Sequence, residues 1–372
     1  MHIAMISRGY PSKEYPTMGN FEADTAHALA RAGVQVSFLA VDMRSFRRKR
    51  PWGLRVEKTS GITVYHIDWP IGAVPKKLFY RLAFQALKRA WRRMEREEGT
   101  PELIHTLFTD YGVLGAMMKE RTGIPLYLCE NFSRIHVDPI DPALKEAAAF
   151  AYEKADVIQT VSVSMQKRLR DVFGADSVVI PNLPDLSLFR YEDNEKEDLL
   201  VTAGRITKEK GMPELVDAFL LLKDEFPQLR LELFGEGDQR APLEEKAKKA
   251  GVSERILFRG AVPREVMAKS YRKARWFALA SHHETFGLAY IEAWAAGLPA
   301  LVTRCGGPDA FVTPENGVLV PPKNLEALTR GLRNLLTTDY DRPAIARRAA
   351  DVFSEERIIG ETLQLYKTMK RM

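Results

Sequence analysis

Residues 284–303, ETFGLAYIEAWAAGLPALVT, hold two glutamates within an otherwise small and apolar segment. The apolar positions between Gly287 and Gly297 predict a helix, and PALVT directly after it predicts a buried strand. An ionised carboxylate in such surroundings costs free energy unless a cation pairs with it or a donor hydrogen-bonds to it. Glu284 and Glu292 are therefore the first candidates for contact with a ligand.

The alternation of helix and strand continues on both sides of this segment. The strands predicted in the first half are HIAMIS, VQVSFLAV, ITVYHI, LIHTLF, PLYLCE, VIQTVS and SVVIPN. Those predicted in the second half are LLVTAGR, LRLELFGEG, RILFRGAV, RWFALAS and PALVT, with helices over 213–226, 241–250, 263–273 and 287–297. This alternation is typical of parallel sheets covered on both faces, so an α/β protein with doubly wound, Rossmann-like sheets is predicted.

A polar, acidic segment, PDLSLFRYEDNEKED, follows Asn182 and has the composition of a linker. The length of 372 residues also exceeds the size at which a single hydrophobic core stops growing. We therefore expect one domain over 1–182 and a second over 183–353. An amphipathic helix over 354–372 follows them.

The composition, 45% apolar and 28% charged, is that of an ordinary globular protein. Cys129 and Cys305 are far apart, which argues against a disulfide scaffold or a zinc site and fits a reducing cytoplasm. No apolar run is long enough to predict a transmembrane helix. The sequence DYD at 339–341 resembles a metal-binding Asp-x-Asp motif, but it precedes a helix. N-capping is the expected role, and no metal site is expected.

Polar residues in the second half follow the strands, where open α/β sheets bind their ligands. Arg205 and Lys210 lie in GRITKEKG after the first strand, and SHHETFG leads from the fourth strand into the helix at Gly287. Two cations beside a helix N-terminus predict a diphosphate site. Glu292 would then accept hydrogen bonds from ribose hydroxyls, and Glu284 from a transferable hexose.

Plainer interpretations of the same residues remain open. Arg205 and Lys210 would also suit a solvated loop, and the two glutamates would also suit a helix cap paired with a lysine. A nicotinamide-dinucleotide site is not expected, because Arg240 stands where the fingerprint begun by FGEG requires a third glycine. His282 and His283 are adjacent and are expected at a strand end rather than on a metal.

Several motifs together resemble the retaining glycosyltransferases of family 4, which have the GT-B fold. The motifs are MGNF (18–21), ADVIQTVS (155–162), IPNLPDLSLF (180–189), GRITKEKG (204–211), FGEGD (234–238), LFRGAV (257–262) and ETFGLAYIEAWAAGLPALVTRCGGPDAFV (284–312). The resemblance covers nearly the whole chain. It implies two Rossmann-like domains facing a central cleft, with a C-terminal helix crossing back to the N-terminal domain.

The resemblance also implies a metal-independent transfer of a hexose from a nucleoside-diphosphate sugar, UDP- or GDP-hexose, without a further cofactor. In such enzymes the equivalents of Arg205 and Lys210 hold the donor diphosphate. The equivalent of Glu284 contacts the donor sugar, and that of Glu292 binds the ribose. The donor-binding residues implied are Gly19, Gly204, Gly235, Val262, Phe286, Gly287, Leu288 and Glu292.

The acceptor side departs from the family pattern. Relatives often carry a histidine after the fourth or fifth strand of the N-terminal domain, where this chain reads CENFS. Glu130 and Asn131 are therefore the candidates for contact with the sugar or the acceptor. His105, in LIHTLF, is the nearer histidine and is a third candidate.

The net charge of +6 is concentrated in two basic stretches, residues 44–55 and 76–96. The second is a predicted helix whose apolar positions recur every three or four residues. Two interpretations remain: contact with an anionic membrane surface, or a core helix with a solvated basic face. Nucleic acid is not an expected partner, because no recognition module is visible.

The expected function is hexose transfer to a glycan or lipid-linked acceptor in polysaccharide, lipopolysaccharide or glycolipid biosynthesis. The expected location is the cytoplasm, either without membrane contact or with peripheral contact at the inner face of the plasma membrane. One alternative is a GT-B enzyme with a small soluble acceptor. The other is a non-catalytic protein that binds sugar nucleotides.

Overall fold

The computed structural model describes residues 1–12, 15, 18–44, 51–71 and 74–370. Contacts divide the chain into two compact units. Unit 1 comprises Met1–Leu183 and Glu355–Met372, and unit 2 comprises Pro184–Ser354. Unit 1 is therefore built from two separate parts of the chain.

Strands and helices alternate along most of the chain. The strands are β1 (His2–Ser7), β2 (Gln35–Asp42), β3 (Gly53–Thr59), β4 (Ile62–Asp68), β5 (Leu103–Leu107), β6 (Leu126–Glu130), β7 (Val157–Thr160), β8 (Val178–Val179), β9 (Leu199–Ala203), β10 (Arg230–Phe234), β11 (Ile256–Gly260), β12 (Trp276–Leu279), β13 (Ala300–Thr303) and β14 (Gly317–Val320). The helices are α1 (Asn20–Arg31), α2 (Lys76–Glu98), α3 (Thr109–Thr122), α4 (Ser133–His136), α5 (Pro142–Lys154), α6 (Val163–Phe173), α7 (Met212–Leu222), α8 (Arg240–Lys249), α9 (Arg264–Lys273), α10 (Leu288–Ala295), α11 (Leu325–Thr337), α12 (Arg342–Phe353) and α13 (Glu355–Met369), with a 3-10 helix at Pro308–Phe311.

The sheet of unit 1 has the strand order β3-β4-β2-β1-β5-β6-β7-β8. Its strands are parallel except β3, which runs antiparallel to β4 at the edge. All six residues of β1 are buried, as expected for a central strand covered on both faces. The antiparallel edge strand was not predicted from the sequence.

Helix α13 packs against the sheet of unit 1. The hydroxyl of Tyr366 lies 2.5 Å from Nδ1 of His105, and its ring meets the ring of Tyr127 edge-on at 5.1 Å between centroids. Arg31 of α1 also pairs with Glu355 at the start of α13. Helix α13 therefore belongs to unit 1, together with residues 1–183.

The sheet of unit 2 is parallel throughout, with the order β11-β10-β9-β12-β13-β14. The helices predicted over 213–226, 241–250, 263–273 and 287–297 correspond to α7, α8, α9 and α10. The carboxylate of Asp341 accepts a hydrogen bond from the backbone N–H of Ala344 at 2.9 Å, so DYD caps α12 as expected. The predicted fold class, two Rossmann-like parallel sheets in an α/β protein, is confirmed.

Within the described ranges, none of the helices combines the length and the apolar character that crossing a membrane requires.

Candidate active site

The strand order of unit 2 reverses between β9 and β12, because β10 and β11 follow β9 on one side while β13 and β14 follow β12 on the other. Loops from neighbouring strands diverge at such a point and leave a crevice at their carboxyl ends, where open α/β sheets bind ligands. Residues 204–211 follow β9, and residues 280–287 follow β12. Both segments were predicted to carry the donor site.

The two loops touch each other closely at Gly211, which precedes α7. Gly211 has φ +62°, and a Cβ atom built on it would lie 1.9 Å from the carbonyl oxygen of Ala280. The backbone N–H of His282 also donates to the carbonyl of Glu209 at 2.9 Å. Only glycine allows this approach, so the loop after β9 is fixed against the end of β12.

The approach brings Lys210 and Glu284 together. The Nζ atom of Lys210 lies 2.6 Å from Oε1 of Glu284, and the hydroxyl of Ser281 donates to the same oxygen at 2.7 Å. The side chains of Lys210 and Glu284 are 23% and 11% exposed. Glu284 is therefore a largely buried carboxylate with two partners, and one of them is a cation predicted to hold the donor diphosphate.

The backbone of Glu284 is held by the segment after β13. Its N–H donates to the carbonyl of Cys305 at 2.8 Å, and its carbonyl accepts from the N–H of Gly307 at 2.9 Å. A Cβ atom on Gly307 would lie 2.5 Å from Cα of Phe286, so this contact also needs a glycine. Asp309 in turn accepts from the N–H of Cys305 at 3.0 Å. Both the N–H and the carbonyl of Glu284 are thus held by hydrogen bonds to the segment after β13.

Helix α10 begins directly after this segment, with Gly287 as its N-cap at φ +84° and without a side chain capping its first turn. A helix N-terminus without a side-chain cap presents backbone N–H groups that suit an anion. Leu288 is the first residue of α10. Phe286 is 1% exposed, and its ring packs edge-on against Phe311 and Phe353. Phe286 and Leu288 can thus contribute backbone N–H groups, whereas the ring of Phe286 belongs to the core.

Glu292 lies in the second turn of α10 and is 5% exposed. Its Oε1 accepts a hydrogen bond from the guanidinium of Arg264, the first residue of α9, at 2.8 Å. The Arg264 guanidinium also lies 5.7 Å from the centre of the Phe189 ring. Arg264 was not among the residues predicted from the sequence. The only local signal was a cation at a predicted helix start, 28 positions before Glu292.

The glycines after β10 lie against the loop after β9. A Cβ atom on Gly235, which has φ +131°, would lie 2.0 Å from the carbonyl oxygen of Gly204. Arg205, in the same loop, is exposed and forms no ion pair with any described residue. Val262, between β11 and α9, is half-buried. The loops after β9 and β10 are therefore held together by glycine contacts, with the guanidinium of Arg205 left accessible.

The histidine pair lies where a strand end was predicted. Nε2 of His282 lies 2.8 Å from Oε1 of Glu214, the acidic residue in the first turn of α7. Burial is the main cause that lowers the pKa of His283 below its usual value. In the part of the chain that the structure describes, no three His, Cys, Asp or Glu side chains gather closely enough to hold a metal ion.

Two of the three acceptor candidates are core residues of unit 1. His105 is 1% exposed beneath α13, and burial lowers its pKa to about 3, so the imidazole is neutral. Glu130 is fully buried and accepts from the hydroxyls of Thr109 and Tyr152 at 2.6 and 2.8 Å. Burial raises the pKa of Glu130. Both side chains are buried in this structure, which argues against direct contact with the sugar or the acceptor, and that contact stays a prediction.

Asn131 and Gly19 remain as candidates in unit 1. Asn131 follows β6, is 6% exposed, and its Oδ1 has no hydrogen-bond partner among the described residues. Gly19 precedes α1 at φ +77°, and a Cβ atom on it would lie 2.5 Å from the carbonyl oxygen of Gly9. Both residues lie at the carboxyl edge of their sheet.

The same edge carries an ion pair that sequence reasoning missed. Nε of Arg8, directly after β1, donates to Oε1 of Glu22 at 2.8 Å, and Glu22 is fully buried. The Arg8 guanidinium lies 4.4 Å from the centre of the Phe108 ring. Burial outweighs the nearby arginine and raises the pKa of Glu22. The sequence signal was an arginine directly after the first strand.

A cavity of about 470 Å³ opens at the carboxyl ends of β2 and β4 in unit 1. Arg44 and Arg55 line it, paired with Asp42 at 2.8 Å and with Asp68 at 2.8 Å, respectively. Both arginines belong to the basic stretch 44–55, so part of its positive charge is paired within unit 1, and contact of this stretch with an anionic surface stays a prediction. The four other basic residues of that stretch, Arg47, Arg48, Lys49 and Arg50, lie outside the described residues.

Comparison with known proteins shows the family. Residues 18–183 match the glycosyl transferase 4-like domain, and residues 186–352 match the glycosyl transferases group 1. The chain therefore belongs to the group 1 glycosyltransferases with the GT-B fold, and the resemblance stated from its motifs is confirmed.

Two curated relatives are similar to this chain over most of its length and most of their own. TuaC of Bacillus subtilis, which is named for teichuronic acid biosynthesis, is 26% identical over 370 residues, covering 93% of this chain and 92% of TuaC. The D-inositol 3-phosphate glycosyltransferase of Corynebacterium glutamicum is 26% identical over 390 residues, covering 94% and 92% of the two chains.

Two solved structures show the same fold. Sucrose-phosphate synthase from Thermosynechococcus elongatus has a TM-score of 0.81 at 24% identity, covering 99% of this chain and 98% of the synthase. HepE from Anabaena, in complex with UDP and glucose, has a TM-score of 0.75 at 17% identity, covering 99% and 100%.

Proposed function

We propose that this protein transfers a hexose, with retention and without a metal ion, from a nucleoside-diphosphate sugar to a glycan or lipid-linked acceptor. The observation that carries the proposal is the Lys210–Glu284 contact at the point where the strand order of unit 2 reverses, directly before the N-terminus of α10. These groups match the two parts of a sugar diphosphate. The cation and the helix N-terminus, which has no side-chain cap, suit phosphate oxygens, and the positioned carboxylate suits sugar hydroxyls.

The proposed chemistry needs no protein nucleophile. When the bond between the sugar C1 and the phosphate oxygen breaks, negative charge develops on the departing nucleoside diphosphate. Lys210, Arg205 and the backbone N–H groups at Gly287 and Leu288 would stabilise that charge, each by about 2–4 kcal/mol in the transition state. The acceptor hydroxyl attacks the face that the leaving group vacates, and a phosphate oxygen takes its proton. Glu292 would hold the ribose.

For the donor we propose a UDP- or GDP-hexose, with UDP-hexose favoured because the relative HepE was solved with UDP and glucose. For the acceptor we propose a growing glycan, as the name of TuaC suggests for that protein. The cavity of about 470 Å³ in unit 1 is large enough for a sugar acceptor and is lined by paired charges and by Tyr10 and Tyr15. Asn131 is the proposed polar contact for the sugar.

We also propose that the enzyme works in the cytoplasm, at the inner face of an anionic membrane, where a lipid-linked acceptor would be found. The basic side chains of α2 support this contact, since Lys77, Arg81, Arg89, Arg92 and Arg96 are all exposed.

The test is release of nucleoside diphosphate from UDP-, GDP- and ADP-hexoses, with and without acceptor. A donor that binds will raise the melting temperature, and release that increases on addition of acceptor will establish transfer. A protein that binds a sugar nucleotide but releases no nucleoside diphosphate with any glycan or lipid acceptor would be a non-catalytic binder. Transfer to small soluble acceptors alone would replace the glycan proposal.

A further inference from the structure

A second hollow, of about 360 Å³, lies on unit 1 where α2 packs beside α3. Its lining includes the side chains of Lys88, Trp91, Arg92, Glu95 and Arg121. Both helices connect parallel strands, so their C-terminal halves lie at the amino ends of those strands. The hollow is therefore at the edge of the sheet opposite Gly19 and Asn131, away from the proposed substrate contacts of this unit.

The cations of this hollow are not neutralised by the protein. Among the described residues, no carboxylate oxygen lies within 4.0 Å of the charged nitrogens of Lys88, Arg92 or Arg121, although Glu95 lines the same hollow. On the same helix, Arg93 does have a partner, because it pairs with Glu97 at 2.7 Å. Three cations and one carboxylate leave the hollow with a net positive charge.

Trp91 adds a neutral donor to the same place. Its side chain lines the hollow and is 3% exposed, yet its indole Nε1 has no hydrogen-bond acceptor among the described residues. A buried N–H without an acceptor is unfavourable, by about 1–3 kcal/mol. An oxygen atom supplied by a ligand would remove this cost.

We propose that this hollow binds the phosphate group of an anionic ligand, with Lys88, Arg92 and Arg121 as charged donors and Trp91 as a neutral donor. A tetrahedral oxyanion accepts hydrogen bonds from several directions, and the guanidinium fork suits two of its oxygens at once. The ligand is a phosphate carried by a lipid headgroup or by a soluble molecule. This site would place the proposed membrane contact of α2 at one defined position on the helix. The proposal of a phosphate site does not depend on sugar transfer.

The experiment measures binding of two probes to the full-length protein. Glycerol 3-phosphate, titrated calorimetrically, represents a soluble phosphate, and vesicles of phosphatidylcholine with or without phosphatidic acid represent the lipid source. Arg121→Gln should weaken binding roughly ten- to hundredfold, as expected when a charged hydrogen-bond donor is removed. Trp91→Phe, which removes only the N–H, should weaken it about three- to tenfold.

Arg81→Gln is the matched control. Arg81 is an exposed cation on the same helix, outside the hollow and without an ion pair among the described residues. Its removal should change the affinity for glycerol 3-phosphate by less than about twofold, since a distant exposed charge is screened by salt. Equal losses in Arg81→Gln and Arg121→Gln would show diffuse attraction to a basic face, and the proposed site would be rejected.

The remaining outcomes are also decisive. Binding of glycerol 3-phosphate identifies a soluble source, and binding only of vesicles that contain phosphatidic acid identifies a lipid source; either one supports the site. Binding of neither probe overturns it. Arg121→Gln changes an exposed residue, so the test stands even if Trp91→Phe fails to fold. Nucleoside diphosphate release should stay at the wild-type rate with a soluble acceptor, which separates this proposal from the proposed transferase activity.

Discussion

Lys210 and Glu284 come from loops 74 positions apart, and their side chains meet at 2.6 Å. The contact joins the loop after β9 to the loop after β12, the two strands between which the sheet of unit 2 changes direction. Gly211 makes it geometrically feasible, because any side chain there would collide with the backbone at Ala280. The charged pair and the glycine contact therefore act together to set the shape of the candidate donor site.

The first prediction concerns the two cations of this loop. Lys210→Ala and Arg205→Ala should each lower turnover roughly 10²- to 10³-fold, because each removes stabilisation of the departing diphosphate. Lys208→Ala is the control, since Lys208 is an exposed lysine in the same loop. The measurement is nucleoside diphosphate release, with circular dichroism as the check on folding. Near-wild-type rates for both variants would rule out the proposed diphosphate role.

The second prediction concerns the coupling between Lys210 and Glu284. Residues in direct contact show interaction energies of about 0.5–3 kcal/mol in double-mutant cycles, and this pair is mostly buried. We expect Lys210→Met and Glu284→Gln to couple by about 1–2 kcal/mol in urea unfolding. Lys208→Met combined with Glu284→Gln should be additive. Additivity in both cycles would mean that the 2.6 Å contact contributes nothing to stability.

The third prediction concerns the arginine that the sequence did not reveal. Arg264→Ala removes a charged partner from the buried carboxylate of Glu292 and should lower the free energy of unfolding by roughly 3 kcal/mol, the low end for a broken buried ion pair, because Arg264 is partly exposed. Adding Glu292→Gln should recover part of the loss, because it removes the carboxylate charge. Thermal unfolding of the single and double variants measures both effects. A double variant that is less stable than Arg264→Ala would contradict this account.

The fourth prediction concerns the pH dependence of stability. Burial holds the pKa of His105 at about 3, against 6.5 for an ordinary histidine. Between these values the unfolded chain binds a proton that the folded chain does not, so the contribution of His105 to stability falls as the pH is lowered from 6.5. The slope reaches about 1.4 kcal/mol per pH unit.

Urea unfolding between about pH 7.5 and 5 measures this slope. His105→Gln should reduce it. Tyr366→Phe should retain it, because burial rather than the hydrogen bond to Tyr366 shifts the pKa. An unchanged slope in His105→Gln would show that the imidazole is not the group responsible.

Most of the fold could be predicted because local patterns and global architecture agree. Buried parallel strands are short apolar runs, and the helices between them show a regular apolar face, so β1 and α10 were located within a few residues. Strand β3 was missed because Gly53–Thr59 contains three charged residues and none of its seven residues is buried, so it lacks the apolar run that marks the other strands. A strand of that composition becomes visible only through its partner, β4.

The candidate site was only partly predictable. Arg205, Lys210 and Glu284 follow strands in unit 2, and the position of a loop after a parallel strand can be predicted from topology. His105 and Glu130 also lie on predicted strands, so in the sequence they resemble the candidates of unit 2. In the structure, α13 covers His105 and Tyr152 contacts Glu130. Whether a strand residue faces a ligand or the core depends on packing partners that are remote in sequence.

The two-part construction of unit 1 has a consequence for how the protein is made. Translation proceeds from the N-terminus, so the strand bearing His105 leaves the ribosome long before Tyr366, which covers it. Unit 2, Pro184–Ser354, is synthesised in between as one continuous stretch. The first part of unit 1 therefore lacks its contacts with α13 until residues 355–369 have been synthesised, and apolar surface left exposed in such an interval favours aggregation.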